Sequence, residues 1–146
     1  MDKIFSLATT ADARNVAVIR NFFAEALRNV FGEEDIIYIE MCLNEMCENI
    51  IRHAYGEGHS GPISIRMKTS RERVEISVID RGKPFNVLDF EPPDNRVLVE
   101  QGIKGKLGIK MMRKICDKIL YKRLKGKNKT VFIRKRHSCS PAAAGV

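Results

Sequence analysis

Apolar residues recur at every third or fourth position in two early stretches of the chain, which is the spacing of a helix that buries one face. The first stretch follows Thr10 and Asp12, either of which suits the cap of a helix, and we expect it to end at Gly32. The second begins at Glu33, whose charge suits a helix N-terminus, and stops near Gly56. The predicted buried faces are Val16, Ile19, Phe23, Leu27 and Val30, and then Ile36, Ile39, Leu43, Cys47, Ile50 and Ala54.

Alternation of apolar and polar residues predicts strands further along the chain. One strand covers residues 63–69 and a second covers 74–78, with a three-residue turn at 70–72 between them. Because so short a connection joins neighbouring antiparallel strands, the pair is predicted to be a hairpin. The short segment 2–9 is predicted to be an edge strand.

The last third of the chain combines one helix with a second hairpin. The helix is predicted over 108–118, and strands over 119–124 and 130–134 are joined by a turn at 125–128. Residues 137–146 end in Pro-Ala-Ala-Ala-Gly-Val and are predicted to be a disordered tail. The helix residues predicted to face inward are Ile109, Met112, Ile115 and Cys116.

A long segment, residues 82–108, separates the first hairpin from the third helix. It contains Pro92, Pro93 and four glycines, so we expect a mobile loop, and a loop of this length is usually functional. Helices that alternate with hairpins predict an α+β fold, a two-layer sandwich with a mostly antiparallel sheet covered on one face by helices. The 146 residues fit a single domain, which we assign to residues 1–136.

Composition narrows the classes of function. The longest apolar runs are far below the roughly 20 residues of a membrane span, and we expect a cytoplasmic protein whose four cysteines are reduced thiols. The net charge is +8, and Lys and Arg crowd residues 104–136, so anionic partners are expected. Only Tyr121 and Phe132 interleave with this charge, which argues against direct nucleic-acid binding.

The second helix carries Glu45 and Asn49 four residues apart, and His53 continues the same line. That spacing places the side chains on one helix face. A carboxylate and an amide oxygen suit Mg²⁺, which takes oxygen ligands and often uses only one or two protein groups beside phosphates. Spacing alone favours the other interpretation, a solvated helix face on which Glu48 and Arg52 form an ordinary ion pair.

Asp80 ends the second predicted strand on its apolar side, since it shares parity with Val74, Ile76 and Val78. A carboxylate there is costly unless it is paired, and a ligand N–H donor such as an adenine amine would pair it. Gly82 allows a ligand to approach the backbone closely. The same Asp-x-Gly pattern is also typical of a simple turn.

Glycines at 102, 105 and 108 lead directly into the third helix. Glycines expose backbone N–H groups and a helix N-terminus favours anions, so phosphates could bind here beside Lys104 and Lys106. The spacing matches neither a P-loop nor a Rossmann fingerprint. A flexible connector is the commoner meaning of such a stretch.

The three signals in this order resemble the motifs of the GHKL (Bergerat-fold) ATPases. The segment 43–55 (LNEMCENIIRHAY) is similar to their N box, 80–85 (DRGKPF) to the G1 box and 102–109 to the G2 box. The Asn-x-x-x-His-Ala-Tyr ending and the Asp-x-Gly-x-Pro-Phe form look most like the small bacterial anti-sigma factor serine kinases. The resemblance covers roughly residues 10–135 and implies a histidine-kinase-like ATPase fold.

The resemblance also implies a role for each matched position. Asn49 would ligate Mg²⁺, Glu45 would be the catalytic base toward a protein serine, and Asp80 would accept from the adenine amine. Gly105 and Gly108 would bring backbone onto the phosphates. The residues predicted to bind Mg-ATP are Asn49, His53, Asp80, Gly82, Pro84, Lys104, Gly105, Lys106, Leu107 and Gly108.

Partners follow from the same resemblance: an anti-anti-sigma (STAS-type) protein that is phosphorylated, a sigma factor that is sequestered, and a second copy in a homodimer. Membrane association is not expected. One departure from the family pattern is Lys106, which stands where many relatives have glycine.

Three other functions stay open on sequence grounds. A nucleotide-dependent partner-binding regulator would bind ATP without phosphotransfer. The catalytic domain of a sensor histidine kinase would need a dimerisation helix pair with an acceptor histidine, for which the sequence before residue 33 is too short. A nucleic-acid-binding domain would show salt-dependent DNA binding.

Overall fold

The computed structural model describes residues 2–89 and 106–137. For residues 106 and 107 it describes the backbone but not the side chains. A five-stranded sheet with the strand order β1-β2-β3-β5-β4 forms one layer, and every neighbouring pair of strands is antiparallel. The strands are β1 Lys3–Thr10, β2 Pro62–Thr69, β3 Arg73–Asp80, β4 Lys118–Leu124 and β5 Lys127–Lys135.

Helices form the second layer. They are α1 (Ala13–Leu27), α2 (Glu33–Asn49) and α3 (Lys106–Ile115). Asp12 caps α1, because its side chain accepts a hydrogen bond from the Arg14 backbone N–H at 2.9 Å.

The C-terminal end of α2 differs from an ordinary helix. From Ile50 to Tyr55 the chain continues as a π-helical turn, and such turns are frequent at functional sites. Gly56 ends this segment with φ 88°, a left-handed value that favours glycine.

The core lies between the sheet and the helices. Alternate residues of β2, β3 and β5 point toward the helices and are buried, while their neighbours in sequence are more exposed. The predicted α+β sandwich, with its antiparallel sheet covered on one face, is therefore confirmed. Buried residues from all three helices meet this face, among them Phe23, Leu27, Leu43, Met46 and Met112.

Three predicted boundaries were wrong. The helix predicted over 108–118 is α3, which begins at Lys106 and ends at Ile115, because the Asp117 N–H bonds the Ile133 carbonyl and the chain joins β4. The turn predicted at 125–128 is only two residues long, so Asn128 belongs to β5. The first helix ends at Leu27 instead of Gly32.

A buried ion pair ties the start of α2 to the sheet. Arg134 Nε lies 3.0 Å from Asp35 Oδ1, and the His137 backbone N–H donates to Asp35 Oδ2 at 3.1 Å. His137, the first residue of the predicted tail, is thus bonded to the domain, whereas residues 138–146 lie outside the described residues.

Two further expectations concern cysteines and membranes. Cys42, Cys47 and Cys116 are buried free thiols, as predicted, and Cys139 lies outside the described residues. Within residues 2–89 and 106–137, every helix is too short or too polar to cross a membrane. The predicted loop over 82–108 begins with a short 3₁₀ turn, Val87–Asp89, and residues 90–105 are outside the description.

Candidate functional site

Glu45 and Asn49 lie on the inner face of α2 and are buried. Their side chains are 9% and 0% exposed, so the alternative of a solvated helix face is wrong for this pair. Within the described part of the chain, Glu45 Oε1 and both polar atoms of the Asn49 amide have no hydrogen-bond partner. A buried polar group without a partner costs about 1–3 kcal/mol, so these atoms point to a bound group that would satisfy them.

The environment of Glu45 raises the pKa of its carboxyl group. Burial is the main cause, and the negative charge of Glu48 adds to it, while Arg52 lowers the pKa in part. The nearby Asn49 amide lowers it least, and the two side chains do not reach hydrogen-bonding geometry. Glu45 therefore holds a proton more readily than an exposed glutamate does, which suits a group that accepts a proton during a reaction.

The first turn of α3 lies directly on the Glu45 carboxyl group. A Cβ atom placed on Gly108 would overlap the Glu45 carboxyl atoms. Any other residue at position 108 would require the Glu45 carboxyl group to move. The contact also brings a carboxylate to the positive end of a helix, where negative charge is favoured.

Asp80 ends β3 on the face toward the helices and is only 3% exposed, as its strand parity predicts. Its Oδ1 accepts hydrogen bonds from the Gly82 N–H at 2.8 Å and from Asn128 Nδ2 at 2.9 Å. Both bonds use Oδ1, and neither uses Oδ2. Burial raises the pKa of Asp80, against the lowering effect of these two bonds and of Arg123.

Asn128 is the site residue that sequence reasoning missed, because it was placed in a turn. It pairs directly with Asp80 across β3 and β5. Its Nδ2 donates to Asp80 and to the Lys83 carbonyl at 2.7 Å, and its Oδ1 accepts from the Phe85 N–H and from Tyr121 Oη. The side chain therefore fixes both the Asp80 carboxylate and the segment after β3. Asn128 shares strand parity with Thr130 and Phe132, and this was the signal in the sequence that could have identified it.

Gly82 joins the end of β3 to the end of α2. A Cβ on Gly82 would lie 2.5 Å from the Ala54 carbonyl oxygen and 2.6 Å from its carbonyl carbon. The Lys83 N–H donates to the same carbonyl at 2.7 Å. The sequence predicted that a ligand would approach the Gly82 backbone closely, whereas in the structure the Ala54 backbone makes this close approach. The Asp80 side chain closes a turn onto Gly82, as the turn alternative for Asp-x-Gly predicts.

Two aromatic residues extend this junction. The Tyr55 hydroxyl donates to the Pro62 carbonyl at 2.6 Å and accepts from the Arg81 N–H at 2.8 Å, which bridges α2 to β2 and β3. The His53 ring stacks on Phe85 with 4.9 Å between centroids and 19° between planes. His53 thus contacts the segment after β3, beside the Asp80 turn.

The structure brings three of the predicted motifs together. The last turns of α2 contact α3 through Glu45 and Gly108, and the π-helical turn that follows α2 contacts the segment after β3 through Ala54 and Gly82. Pro84 lies in the same segment after β3 and is exposed. Four predicted site positions are not described at the side-chain level: Lys104 and Gly105 lie outside the described residues, and only the helical backbone is described for Lys106 and Leu107.

The oxygen atoms of this site suit a Mg²⁺ ion that is held mainly by the phosphates of a ligand. Among the described residues, no group of three or more His, Cys, Asp or Glu side chains could hold a metal. Mg²⁺ needs no such group, because it keeps several waters and binds one or two protein oxygens plus phosphate oxygens. The buried Asn49 Oδ1, which has no partner among residues 2–89 and 106–137, is an oxygen of this kind.

Comparison with known proteins agrees with this geometry. The histidine kinase-like ATPase domain family matches residues 9–135. A Bacillus mycoides serine-protein kinase RsbW is 33% identical over 114 residues, which cover 75% of this chain and 71% of the relative. The Bacillus subtilis protein of the same name is 29% identical with the same coverage. A Bacillus licheniformis relative is matched over only 58% of its own length.

Solved structures share the fold. The RsbU and RsbW domains of a Mycobacterium tuberculosis protein match with a TM-score of 0.67 and 18% identity, over 94% of this chain and 33% of that one. The catalytic domain of histidine kinase ThkA matches with a TM-score of 0.53 and 22% identity, over 89% of this chain and 98% of that one. The chain therefore belongs to the histidine kinase-like ATPase domain family, within which its relatives include serine-protein kinases named RsbW.

Proposed function

We propose that the protein is an ATP-binding anti-sigma regulatory factor that uses Mg-ATP to phosphorylate a serine of an anti-anti-sigma, STAS-type partner. The observation that carries this proposal is the burial of Glu45 and Asn49, whose side chains have polar atoms without a partner among the described residues, on the helix that contacts the first turn of α3. The match to serine-protein kinases supports the reaction class.

Nucleotide recognition is assigned to residues from three elements. Asp80 accepts from an adenine amine through Oδ2, because Asn128 and Gly82 already hold Oδ1. Asn49 would hold Mg²⁺ through its side-chain oxygen, and the metal would neutralise phosphate charge. The N-terminal turn of α3 presents backbone N–H groups to the phosphates.

Glu45 is the proposed base. The serine hydroxyl oxygen attacks the γ-phosphorus, the bond from that phosphorus to the β–γ bridging oxygen breaks, and the hydroxyl proton passes to Glu45. The raised pKa of Glu45 makes it a better proton acceptor than an exposed carboxylate. Its Oε1 has no partner among the described residues that would compete for this proton.

The test is transfer of labelled phosphate from ATP to candidate STAS-type proteins. The intact chain should label one serine of its partner, and Glu45→Gln should reduce the rate by about 10²–10⁴-fold while nucleotide affinity stays. Glu34→Gln is the matched control, because Glu34 lies at the exposed start of the same helix. Equal rates for Glu45→Gln and wild type would refute the role of Glu45.

A second function is favoured by one observation. Gly108 packs on the Glu45 carboxyl group so closely that an added Cβ atom would overlap it. A nucleotide-dependent regulator that binds partners without phosphotransfer would keep this contact when ATP is bound. Tight ATP binding with no labelling of any partner would support this alternative.

Partner binding follows from the same proposal. The protein sequesters a sigma factor and acts as a homodimer. Sedimentation of the purified chain tests the dimer, and pull-down of a purified sigma factor with and without Mg-ATP tests nucleotide-dependent sequestration. A monomer in sedimentation would contradict the proposed homodimer. Sigma-factor binding that is the same with and without Mg-ATP would contradict nucleotide-dependent sequestration.

A further inference from the structure

Two buried thiols lie next to each other between α2 and α3. Cys42 Sγ and Cys116 Sγ are 3.5 Å apart, although 74 residues separate them in the sequence. Cys42 is 1% exposed and Cys116 is 8% exposed. A disulfide needs about 2.05 Å between sulfurs, so a small approach of the two segments would allow the bond.

The pair lies on the same contact that covers Glu45. Cys42 is one helical turn before Glu45 on α2. Cys116 follows α3 directly, with its N–H bonded to the Met112 carbonyl, and it stands two turns after Gly108. Positions 108, 112 and 116 share one face of α3, and that face meets the Glu45 face of α2.

We propose that Cys42 and Cys116 form a reversible disulfide in response to peroxide, and that this bond locks α3 onto α2. Cys116, the more exposed thiol, is oxidised first: its sulfur attacks one peroxide oxygen, the O–O bond breaks, and a sulfenic acid and water form. Cys42 then attacks the sulfenic sulfur, the S–S bond forms and the hydroxyl leaves as water with the Cys42 proton. Two thiols and one hydrogen peroxide thus give one disulfide and two waters.

The surroundings of Cys42 decide the order of these steps. The hydrogen bond with the neighbouring Cys116 thiol and, after it, burial raise the pKa of Cys42, and the positive charge of Arg134 offsets this only in part. Cys42 is therefore a poor first nucleophile toward peroxide, because the thiolate is the form of cysteine that attacks the peroxide oxygen. Its position makes it suited to the second step, because the sulfur of Cys116 is already in contact.

The lock has a functional consequence, which rests on the proposed kinase activity. We expect a serine hydroxyl to reach Glu45 after Gly108 and the first turn of α3 move away, because Gly108 packs directly on the Glu45 carboxyl group. A bond between Cys42 and Cys116 ties the other end of the same helix to α2 and opposes that movement. Oxidation should therefore slow phosphotransfer, and a dithiol reductant should restore it.

The experiment uses the full chain with Cys139→Ala, so that the three described cysteines are the only thiols. Peroxide should remove two hydrogen atoms per chain, and peptide mapping should link 42 to 116. Tm should rise by roughly 5–15 °C, because the bond closes a long loop. Cys42→Ala should lose the link, whereas Cys47→Ala, which removes another buried thiol, should keep it.

Activity provides a second, separate readout. In the oxidised chain the phosphotransfer rate should fall by about 10- to 100-fold, and dithiothreitol should reverse the loss. Unchanged thiols after peroxide, or a link that involves Cys47, would overturn the disulfide. A 42–116 link without any change in a measurable phosphotransfer rate would overturn the lock. Failure of the kinase proposal looks different, since transfer would then be absent in the reduced and the oxidised chain alike.

Discussion

Replacement of Asn49 by leucine should stabilise the nucleotide-free protein while removing its response to Mg-ATP. Asn49 is fully buried, and neither polar atom of its amide has a partner among the described residues. Leucine has the same number of side-chain heavy atoms in the same branched arrangement and no polar atoms, so Asn49→Leu removes an unsatisfied group without leaving a cavity. Few substitutions of a buried residue are expected to raise stability.

The expected size follows from the burial. An unpaired buried amide costs about 1–3 kcal/mol, so the unfolding free energy should rise by that amount. For a chain of this length, Tm should rise by roughly 2–12 °C. Wild type should gain about 2.7 kcal/mol from Mg-ATP at a hundred times its Kd, and Asn49→Leu should gain much less.

The assay is thermal and urea unfolding with and without Mg-ATP. Asn44→Leu is the matched control on the same helix, because the Asn44 side chain accepts a hydrogen bond from Arg20 at 3.1 Å. That control should lose about 0.5–1.5 kcal/mol and keep its response to Mg-ATP. A fall in the stability of nucleotide-free Asn49→Leu would refute the reasoning, since it would mean that the amide is satisfied in the free protein.

Other predictions concern the groups around this pair. Asn128→Ala should destabilise the fold by about 1–3 kcal/mol in urea unfolding, because Asp80 and the segment after β3 lose their shared partner; it should also weaken ATP binding in a titration, and unchanged affinity would contradict the positioning of Asp80. Gly82→Ala should cost about 1–3 kcal/mol, since its methyl group would meet the Ala54 backbone; a stable variant would show that this segment is free to shift. The pKa of Glu45 is raised in the folded state, so the ionised side chain destabilises the folded protein at pH values above its unfolded-state pKa of about 4.5. The stability of wild type relative to Glu45→Gln should therefore fall as the pH rises through the folded-state pKa, by at most about 1.4 kcal/mol per pH unit. A rise in this relative stability with pH would contradict the expected sign.

The sheet and most helix positions could be predicted from the sequence pattern. An element that buries only one face repeats its apolar residues with the period of that element. Strand parity predicted that Asp80 would be buried on the helix side of β3, and this is confirmed. The spacing of Glu45 and Asn49 predicted a shared helix face. It could not predict that the face is buried, because the covering residue, Gly108, comes from a helix far along the chain.

Three features have no local signal strong enough to predict them. The π-helical turn over Ile50–Tyr55 has an ordinary helical composition, and the contact of Ala54 with Gly82 that accompanies it is tertiary. Asn128 has the composition of a turn residue, but its register with Asp80 places it in β5. The 3.5 Å approach of Cys42 to Cys116 depends on how α3 packs.

The most direct measurement is a crystal structure of the chain with Mg²⁺ and a non-hydrolysable ATP analogue. Asn49 Oδ1 should lie about 2.0–2.1 Å from the metal, Asp80 should accept a hydrogen bond from the adenine amine, and the first turn of α3 should face the phosphates. A nucleotide bound elsewhere on the protein, or a metal whose ligands do not include Asn49, would contradict the account.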